Sequence, residues 1–283
     1  MHKITFGQLR QGNLGDLFAV LENELVAQGI DFYLIGAIAR DIWLTALHDI
    51  EPGRVTRDLD LAVLLADEAQ YQNLRDRLIG TGRFIATRGN AYTLIFEDGR
   101  PVDLLPFGAL SMEQSVSVAG QGLTTIQVDG FQEVYEAGTE AVEIDSQPFR
   151  VCTLAGIVLL KFIAYDDRPE HRSKDILDIG AILRHYFDIV EDDIYENHAD
   201  LFGDDEFDIT LTAARVMGRQ MAPIVALSDA LRQRIDRIID RQISLDERSP
   251  VADLLVRGSR WSVSYTLNLL RQLQRGIREV TTG

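Results

Sequence analysis

A chain of 283 residues that is 46% hydrophobic and 25% charged has the composition of a soluble globular protein, with length for one large domain or two modest ones. No apolar run approaches the ~18 residues of a membrane span, and the opening "MHKITFGQLRQGNLGDL" lacks a secretion signal's apolar core; a cytoplasmic location without a membrane partner is expected. The single cysteine, Cys152, rules out an intramolecular disulfide, and the net charge of −16 argues against broad non-specific binding to nucleic acid.

The predicted elements begin with a helix over about 14–28, where "LGDLFAVLENELVAQGI" places apolar residues at helical spacing and ends at Gly29. "DFYLIG" reads as a short buried strand ending in Gly36, and "AIARDIWLTAL" as a helix starting directly after it. The loop "HDIEPGRVT" leads into the strand "RDLDLAVLL", and "ADEAQYQNLRDRLIG" is a helix closed by Gly80. Three short strands follow, "RFIAT", "AYTLIFED" and "PVDLLPF", with Asp98 and Gly99 marking a hairpin turn. Residues 111–151 carry further strands and loops, with a short helix near "FQEVYEAG".

From Thr153 the pattern is helical. "TLAGIVLLKFIAYDD" and "SKDILDIGAILRHYF" are helices separated by "RPEH", and Ser173 is the expected N-cap of the second. Residues 188–208 hold ten acids and no lysine or arginine, which reads as a solvated connection with a short helix. Residues 206–279 read as three or four helices. From Phe207 onward there are twelve arginines, no lysine and eight acids, so the first 206 residues carry −20. Those arginines read first as wet faces of amphipathic helices, and second as contacts to a phosphate-rich partner. The organisation is an α+β front and an all-helical back with a boundary near residue 150.

Residues i and i+2 of a strand share a face, so Asp58 and Asp60 point together into an apolar setting, where like charges repel and lose hydration. A divalent cation relieves that repulsion, since Mg²⁺ takes one or two carboxylates together with phosphate oxygens and water. Arginine partners on an edge strand, Arg54 or Arg57, relieve it equally well. Gly36 lets the backbone approach a ligand at a strand-to-helix turn, where the first N–H groups of the helix attract phosphate; a tight turn alone also needs it. Asp103 lies between Val102 and Leu104, either as a third carboxylate of a two-metal site or as a strand-end acid paired with Arg100. His2, His48, His171, His185 and His198 lack metal-ligand spacing, and no phosphate loop, dinucleotide fingerprint or nucleophile elbow is present. Trp261, Tyr265 and Leu269 fall at helical spacing and read as core.

Taken in order, strand–glycine–helix, D-x-D on a strand and an aspartate on a later strand resemble the nucleotidyltransferase superfamily of polymerase-β-like fold. "IGAIARD", "RDLDL" and "PVDLL" fill its three slots, and Arg40-Asp41 is similar to the G-G-x-x-R-D of CCA-adding enzymes. The resemblance extends to the AbiEii-type toxin group, whose R-x-[ST]-x-D-x-D appears as "RVTRDLD". That group's K-x-x-A helix and R-x-x-D-x-x-D-like segment correspond to "LKFIAYDDRPEHRSKDILDIGAIL", and the similarity covers about residues 30–187. It implies an α+β fold with a nucleotidyltransferase-like mixed β-sheet flanked by helices over residues 1–150, the catalytic domain, and a helical C-terminal domain over 151–283. It also implies transfer of a nucleoside monophosphate from an NTP to a hydroxyl of RNA, such as tRNA, or of protein, with Mg²⁺ or Mn²⁺. The biological setting implied is the toxin of a toxin–antitoxin or phage-defence pair, with an antitoxin as partner. By position, Asp58, Asp60 and Asp103 would be the catalytic carboxylates and metal ligands. Gly36, Ala37, Arg40, Lys161 and Asp175 would serve nucleotide binding, Lys161 by reaching the triphosphate and Asp175 as part of the C-terminal signature. Ala37 departs from the family's second glycine or serine, which keeps open a catalytically impaired nucleotide-binding or interaction module of the same fold.

Overall fold

The computed structural model describes residues 1–10, 14–51, 57–88, 90–109, 115–117, 125–203 and 207–281. Its first half runs β1 (His2–Ile4), α1 (Gly15–Ala27), β2 (Phe32–Ile35), α2 (Gly36–Asp41), β3 (Leu59–Leu65), α3 (Glu68–Gly80), β4 (Phe84–Ala86), β5 (Thr93–Phe96) and β6 (Pro101–Gly108). Then come β7 (Ser115–Ser117), β8 (Thr125–Gln127), α4 (Phe131–Ala137), β9 (Thr139–Ile144) and β10 (Gln147–Cys152). The second half is α5 (Leu154–Asp167), α6 (Ser173–Ile189), α7 (Glu191–Asn197), α8 (Ile209–Val225), α9 (Asp229–Ser244), α10 (Pro250–Arg257) and α11 (Val263–Thr281). Contacts divide the chain into two units, Met1–Tyr135 with Thr139–Thr153, and Glu136–Gly138 with Leu154–Gly283.

The first unit is built on an eight-stranded mixed sheet in the order β1-β9-β10-β2-β3-β6-β5-β4; β7 and β8 form a separate two-stranded ribbon. β3 pairs antiparallel with β2 and parallel with β6, which places it between the two strands whose register matters most below. Alternation along β3 is what the sequence pattern demands: Leu59, Leu61, Val63 and Leu65 are buried, while Asp60 and Leu64 on the other face are half-buried. α1 and α3 pack against each other and α3 also packs on β3 and β4. The β9–β10 hairpin turns through Asp145 and Ser146, both in the left-handed region at φ 47° and 72°, as a two-residue hairpin turn of matching twist requires.

Two local features depart from the sequence expectation. The first strand, β1, was not anticipated; it is three residues long and exists through parallel pairing with β9, about 140 positions away. The helix after Gly36 is regular only to Asp41, and Ile42–Ala46 continue as a π-helical turn that buries Ile42, Trp43, Leu44 and Thr45. Trp43 Nε1 donates to the Cys152 carbonyl at 2.7 Å, a tertiary bond that periodicity cannot announce.

In the second unit α5 is buried at ten of its fourteen positions, so it is apolar nearly all round, as a central helix must be. α6, α8 and α9 pack around it. Ser173 is the first residue of α6 rather than its cap; Arg172 holds the cap position without a side-chain cap bond. Side-chain caps do occur at Asp208 on α8, Ser228 on α9 and Ser249 on α10. α8 and α11 meet at backbone distance. A Cβ at Gly218 would stand 2.0 Å from the Leu273 carbonyl oxygen, and one at Gly276 would stand 2.0 Å from that of Arg215.

Eight of the twelve C-terminal arginines have acidic partners among the described residues, and several of these pairs tie one helix to another. Arg215 Nε and Arg219 Nε on α8 donate to Glu279 on α11, each at 3.0 Å, and Arg219 Nη1 reaches Asp200 Oδ1 at 2.8 Å. Burial pushes the Glu279 carboxyl up, but the two guanidinium groups outweigh it and hold the group below its ordinary value; Arg219 does the same to Asp200. No helix among the described residues is long and apolar enough to cross a membrane.

Gly218→Ala should lower stability by about 1–3 kcal/mol, the usual cost of overpacking, although alanine in an open helix normally gains about 1 kcal/mol over glycine. Denaturation followed by helical circular dichroism reads the sign directly, and a stabilised variant would show that α8 and α11 stand further apart. A second expectation concerns acid. Because the folded Glu279 pKa lies below its unfolded value, its contribution is full above the unfolded pKa of about 4.5 and is lost as pH falls through the folded value. The melting temperature of the wild type should therefore fall more steeply than that of Glu279→Gln as the pH is lowered below the unfolded value of about 4.5.

Candidate active site

β2, β3, β6 and β5 lie side by side, and their pairing sets four residues in one transverse row: Ile35 opposite Asp60, Asp60 opposite Asp103, Asp103 opposite Thr93. Directly opposed residues share a face, and neighbouring strands are about 4.8 Å apart, so the Asp60 and Asp103 carboxylates leave the sheet side by side. Their chain neighbours Leu59, Leu61, Val102 and Leu104 turn to the other face and are fully buried. Asp60 and Asp103 are half-buried. Asp58 is exposed, one residue before β3 begins.

Gly36 follows Ile35 in this row, at the turn from β2 into α2. Its φ of +64° lies in the left-handed region, and a Cβ there would stand 2.1 Å from Asp60 Oδ2 and 2.9 Å from its Cγ. Two independent reasons therefore require glycine, backbone conformation and the carboxylate lying against the turn. The next residue, Ala37, is buried, and so are Arg40 and Asp41 further along α2. Arg40 Nε and Nη2 both donate to Asp41 Oδ1, at 2.8 and 2.7 Å. The Arg40–Asp41 pair is only 3% and 1% exposed, so the guanidinium is used inside the turn.

On the opposite flank of Asp103, the Thr93 hydroxyl donates to Asp103 Oδ1. Asn90 Nδ2 donates to Thr93 Oγ1 at 2.7 Å, and Asn90 Oδ1 accepts from the Tyr92 N–H at 3.0 Å. The Tyr71 hydroxyl donates to the Leu104 and Ala91 carbonyls at 3.1 and 3.2 Å, pinning the backbone on either side of this arrangement. Burial pushes the Tyr71 hydroxyl well up, against a smaller opposing effect of Arg75, so it remains a donor at any physiological pH. Nothing in the sequence singled out Thr93 or Asn90. The only signal was that Thr93 shares a face with Ile95 in an otherwise apolar strand.

The arginines named from sequence as rival partners behave differently. Arg54 falls in 52–56, outside the described residues, as does the rest of the "RVT" that precedes Arg57. Arg57 is exposed, and its carbonyl accepts from Arg100 Nη1 at 3.3 Å; Arg100 Nε stands 3.6 Å from Asp98 in the neighbouring turn.

The second unit gathers its own charged cluster. Lys161 on α5 is only 7% exposed, so it does not snorkel to water. Its Nζ donates to Asp175 Oδ1 at 2.7 Å and Asp178 Oδ2 at 2.8 Å, both on the first turns of α6. Arg172 Nη1 lies 3.7 Å from Asp175 Oδ2. Asp178 is thus a direct lysine partner that the sequence reading did not place in the site.

The sequence-predicted residues therefore fall into two groups. Gly36, Asp60 and Asp103 meet in the row of the first unit, with Ala37 and Arg40 in the adjoining turn and Asp58 exposed beside it. Lys161 and Asp175 meet, with Asp178, in the second unit. Among the described residues no three histidine, cysteine, aspartate or glutamate side chains form a ready-made cation cage. The donor set of the row is nevertheless carboxylate oxygen on adjacent strands, the chemistry that suits Mg²⁺ or Mn²⁺ with the remaining positions left to phosphate and water.

Comparison with known proteins gives one long match. The family model described as "Nucleotidyl transferase AbiEii toxin, Type IV TA system" matches residues 19–257. No curated protein matches. Among solved structures, the solution structure of the antibiotic-resistance factor ANT(2'')-Ia is 12% identical at a TM-score of 0.40, covering 80% of this chain and 95% of that one. An antigenic nucleotidyltransferase-like protein from Paracoccidioides brasiliensis is 15% identical at 0.38, covering 88% and 94%. The Thermotoga maritima CCA-adding enzyme, solved as a complex with tRNA, is 12% identical at 0.26, covering 99% and 85%.

The contact between position 36 and Asp60 can be weighed by a double-mutant cycle. Gly36→Ala should cost about 1–2 kcal/mol for the left-handed backbone alone, and more while Asp60 keeps its carboxylate. In an Asp60→Ala background part of that cost should vanish, giving a coupling of at least about 0.5 kcal/mol by chemical denaturation. Additive costs would mean that the carboxylate does not lie on the turn.

Proposed function

The chain belongs to the AbiEii nucleotidyltransferase toxin family, and on that premise we propose that the row Gly36–Asp60–Asp103 is the centre at which it transfers a nucleoside monophosphate from an NTP. The observation that carries this reading is the register of β3 on β6, which sets two carboxylates side by side with a glycine turn lying against one of them. The first unit is then the catalytic one. In the reaction an acceptor hydroxyl attacks the α-phosphorus in line, the new P–O bond forms as the bond to pyrophosphate breaks, and the hydroxyl proton passes to water. Asp60 and Asp103 would hold the divalent cation, with Asp58 as the third ligand at the exposed end. When bound, such an ion neutralises phosphate oxygens and lowers the cost of charge developing on the leaving group.

The chain's own residues supply position. Asp60 is held from below by the glycine turn, and Arg40 with Asp41 stiffens that turn from within. With little covalent chemistry to do, a site of this kind works mainly through placement of the NTP and hydroxyl. In the helical unit Asp175 and Asp178 take Lys161, so its part is to set the first turns of α6, and a nucleotide contact by Lys161 would need that pairing to open. The acceptor is RNA, tRNA included, or a protein hydroxyl. The role is that of the toxin in a toxin–antitoxin or phage-defence pair. Ala37 supports the second reading, an impaired nucleotide-binding or interaction module, because a serine hydroxyl is missing from the turn.

Incubation of the full chain with each α-labelled NTP, Mg²⁺ or Mn²⁺, total RNA and cell lysate separates these readings. Transfer is expected from the wild type and should fall at least about 10²-fold in Asp60→Ala and in Asp103→Ala, a loss typical when a transition-state contact is removed. Label in the RNA or the protein fraction identifies the acceptor. NTP binding with no label transferred under any condition would establish the impaired module instead.

A further inference from the structure

We propose that Thr93, itself oriented by Asn90, is a positioning residue for Asp103, and that this hydroxyl decides which carboxylate oxygen the site presents. The proposal rests on the reading of the row as the transfer centre. Its first support is direction. The Tyr92 N–H points at Asn90 Oδ1, which fixes the amide so that Nδ2 faces Thr93. An amide NH₂ can only donate, so it takes a lone pair of Thr93 Oγ1 and leaves the hydroxyl proton for another acceptor. That acceptor is Asp103 Oδ1. The chain of bonds therefore has one polarity, Asn90 to Thr93 to Asp103, and ends on a carboxylate oxygen.

Its second support is placement. Thr93 is opposite Asp103 on β5, whereas Asp60 is opposite Asp103 on β3. Thr93 thus holds Oδ1 on the β5 flank, while Asp60 stands on the other flank, opposite Asp103 on β3. Thr93 is 8% exposed, so water does not compete well for its hydroxyl, and its β-branched side chain has few rotamers to choose from. The segment that carries Asn90 is itself tied down: Thr87 Oγ1 donates to the carbonyls of Asn90, at 2.8 Å, and Thr93, at 3.1 Å. The Thr93 hydroxyl is thus held between Asn90 and Asp103 by named hydrogen bonds.

The variants are Thr93→Val, which keeps the shape and removes the hydroxyl, and Thr93→Ser, which keeps the hydroxyl. The measurements on the full chain are Mn²⁺ affinity by calorimetry, melting temperature without cation, and kcat and KM for transfer. Thr93→Val should weaken Mn²⁺ binding and lower kcat by about 10–100-fold, the usual penalty for losing an outer-sphere partner of a ligating group, while Thr93→Ser stays within about threefold of the wild type. Thr93→Val should melt below Thr93→Ser, because Asn90 Nδ2 and Asp103 Oδ1 each lose a partner, and both variants should stay folded at the assay temperature. Wild-type Mn²⁺ affinity in Thr93→Val, or equal losses in Val and Ser, would overturn the proposal. A wild type that binds Mn²⁺ but transfers nothing fails the transfer reading alone and leaves the Thr93 comparison decisive through affinity; a wild type that does neither overturns both.

Discussion

The carboxylate of Asp60 lies against the backbone of Gly36, and most of what is distinctive in the first unit follows from that contact. No side chain fits beneath the carboxylate, and the backbone there is left-handed, so β2 must end in glycine and α2 must begin at it. Antiparallel pairing of β2 with β3 then brings Asp60 to the same end of the sheet, and parallel pairing of β3 with β6 brings Asp103 beside it. Two acids on neighbouring strands would be a liability in a sheet built only for stability, because like charges that lose hydration repel strongly. Their alignment across the central strands is the geometry on which the proposed cation site rests, and the apolar opposite face supplies the packing that holds it.

Around this row several buried polar groups are matched in short sets. Arg40 is matched by Asp41, Tyr71 by two backbone carbonyls, and Thr93 by Asn90 on one side and Asp103 on the other. Such sets rigidify because each member would be costly to leave unmade in a low-dielectric interior. The result is a pair of carboxylates held by hydrogen-bonded supports on both flanks, the arrangement that the proposed transfer, governed by positioning, requires.

The helical unit meets a different constraint. Its central helix α5 is apolar almost all round, yet it carries Lys161, and an unpaired ammonium in that setting would be prohibitive. Asp175 and Asp178 of α6 answer it together, which locks the angular setting of α6 on α5. Such pairs contribute little net stability, but losing one partner typically costs about 3–5 kcal/mol, so they act as specificity devices. Elsewhere in the unit close packing replaces charge: Gly218 and Gly276 let α8 and α11 touch at the backbone, and Arg215 and Arg219 bind Glu279 beside that contact.

The amino-acid sequence by itself determined the α+β class, the helical back, the family, and the identity of the acids and the glycine in the row. It could do so because those features are local: period-two alternation marks β3 and β6, apolar spacing of 3.6 marks the helices, and a glycine between a strand and a helix marks a turn. Tertiary structure alone decided that Asp60 touches Gly36, that Thr93 and Asn90 support Asp103, that Asp178 joins Lys161, and that β1 exists. It also replaced the expected Ser173 cap and turned the end of the α2 segment into a π-helical turn that buries Trp43 beside Cys152. Each of these depends on a partner supplied by another element, and no local period encodes the register of one strand on the next or the distance between two helices.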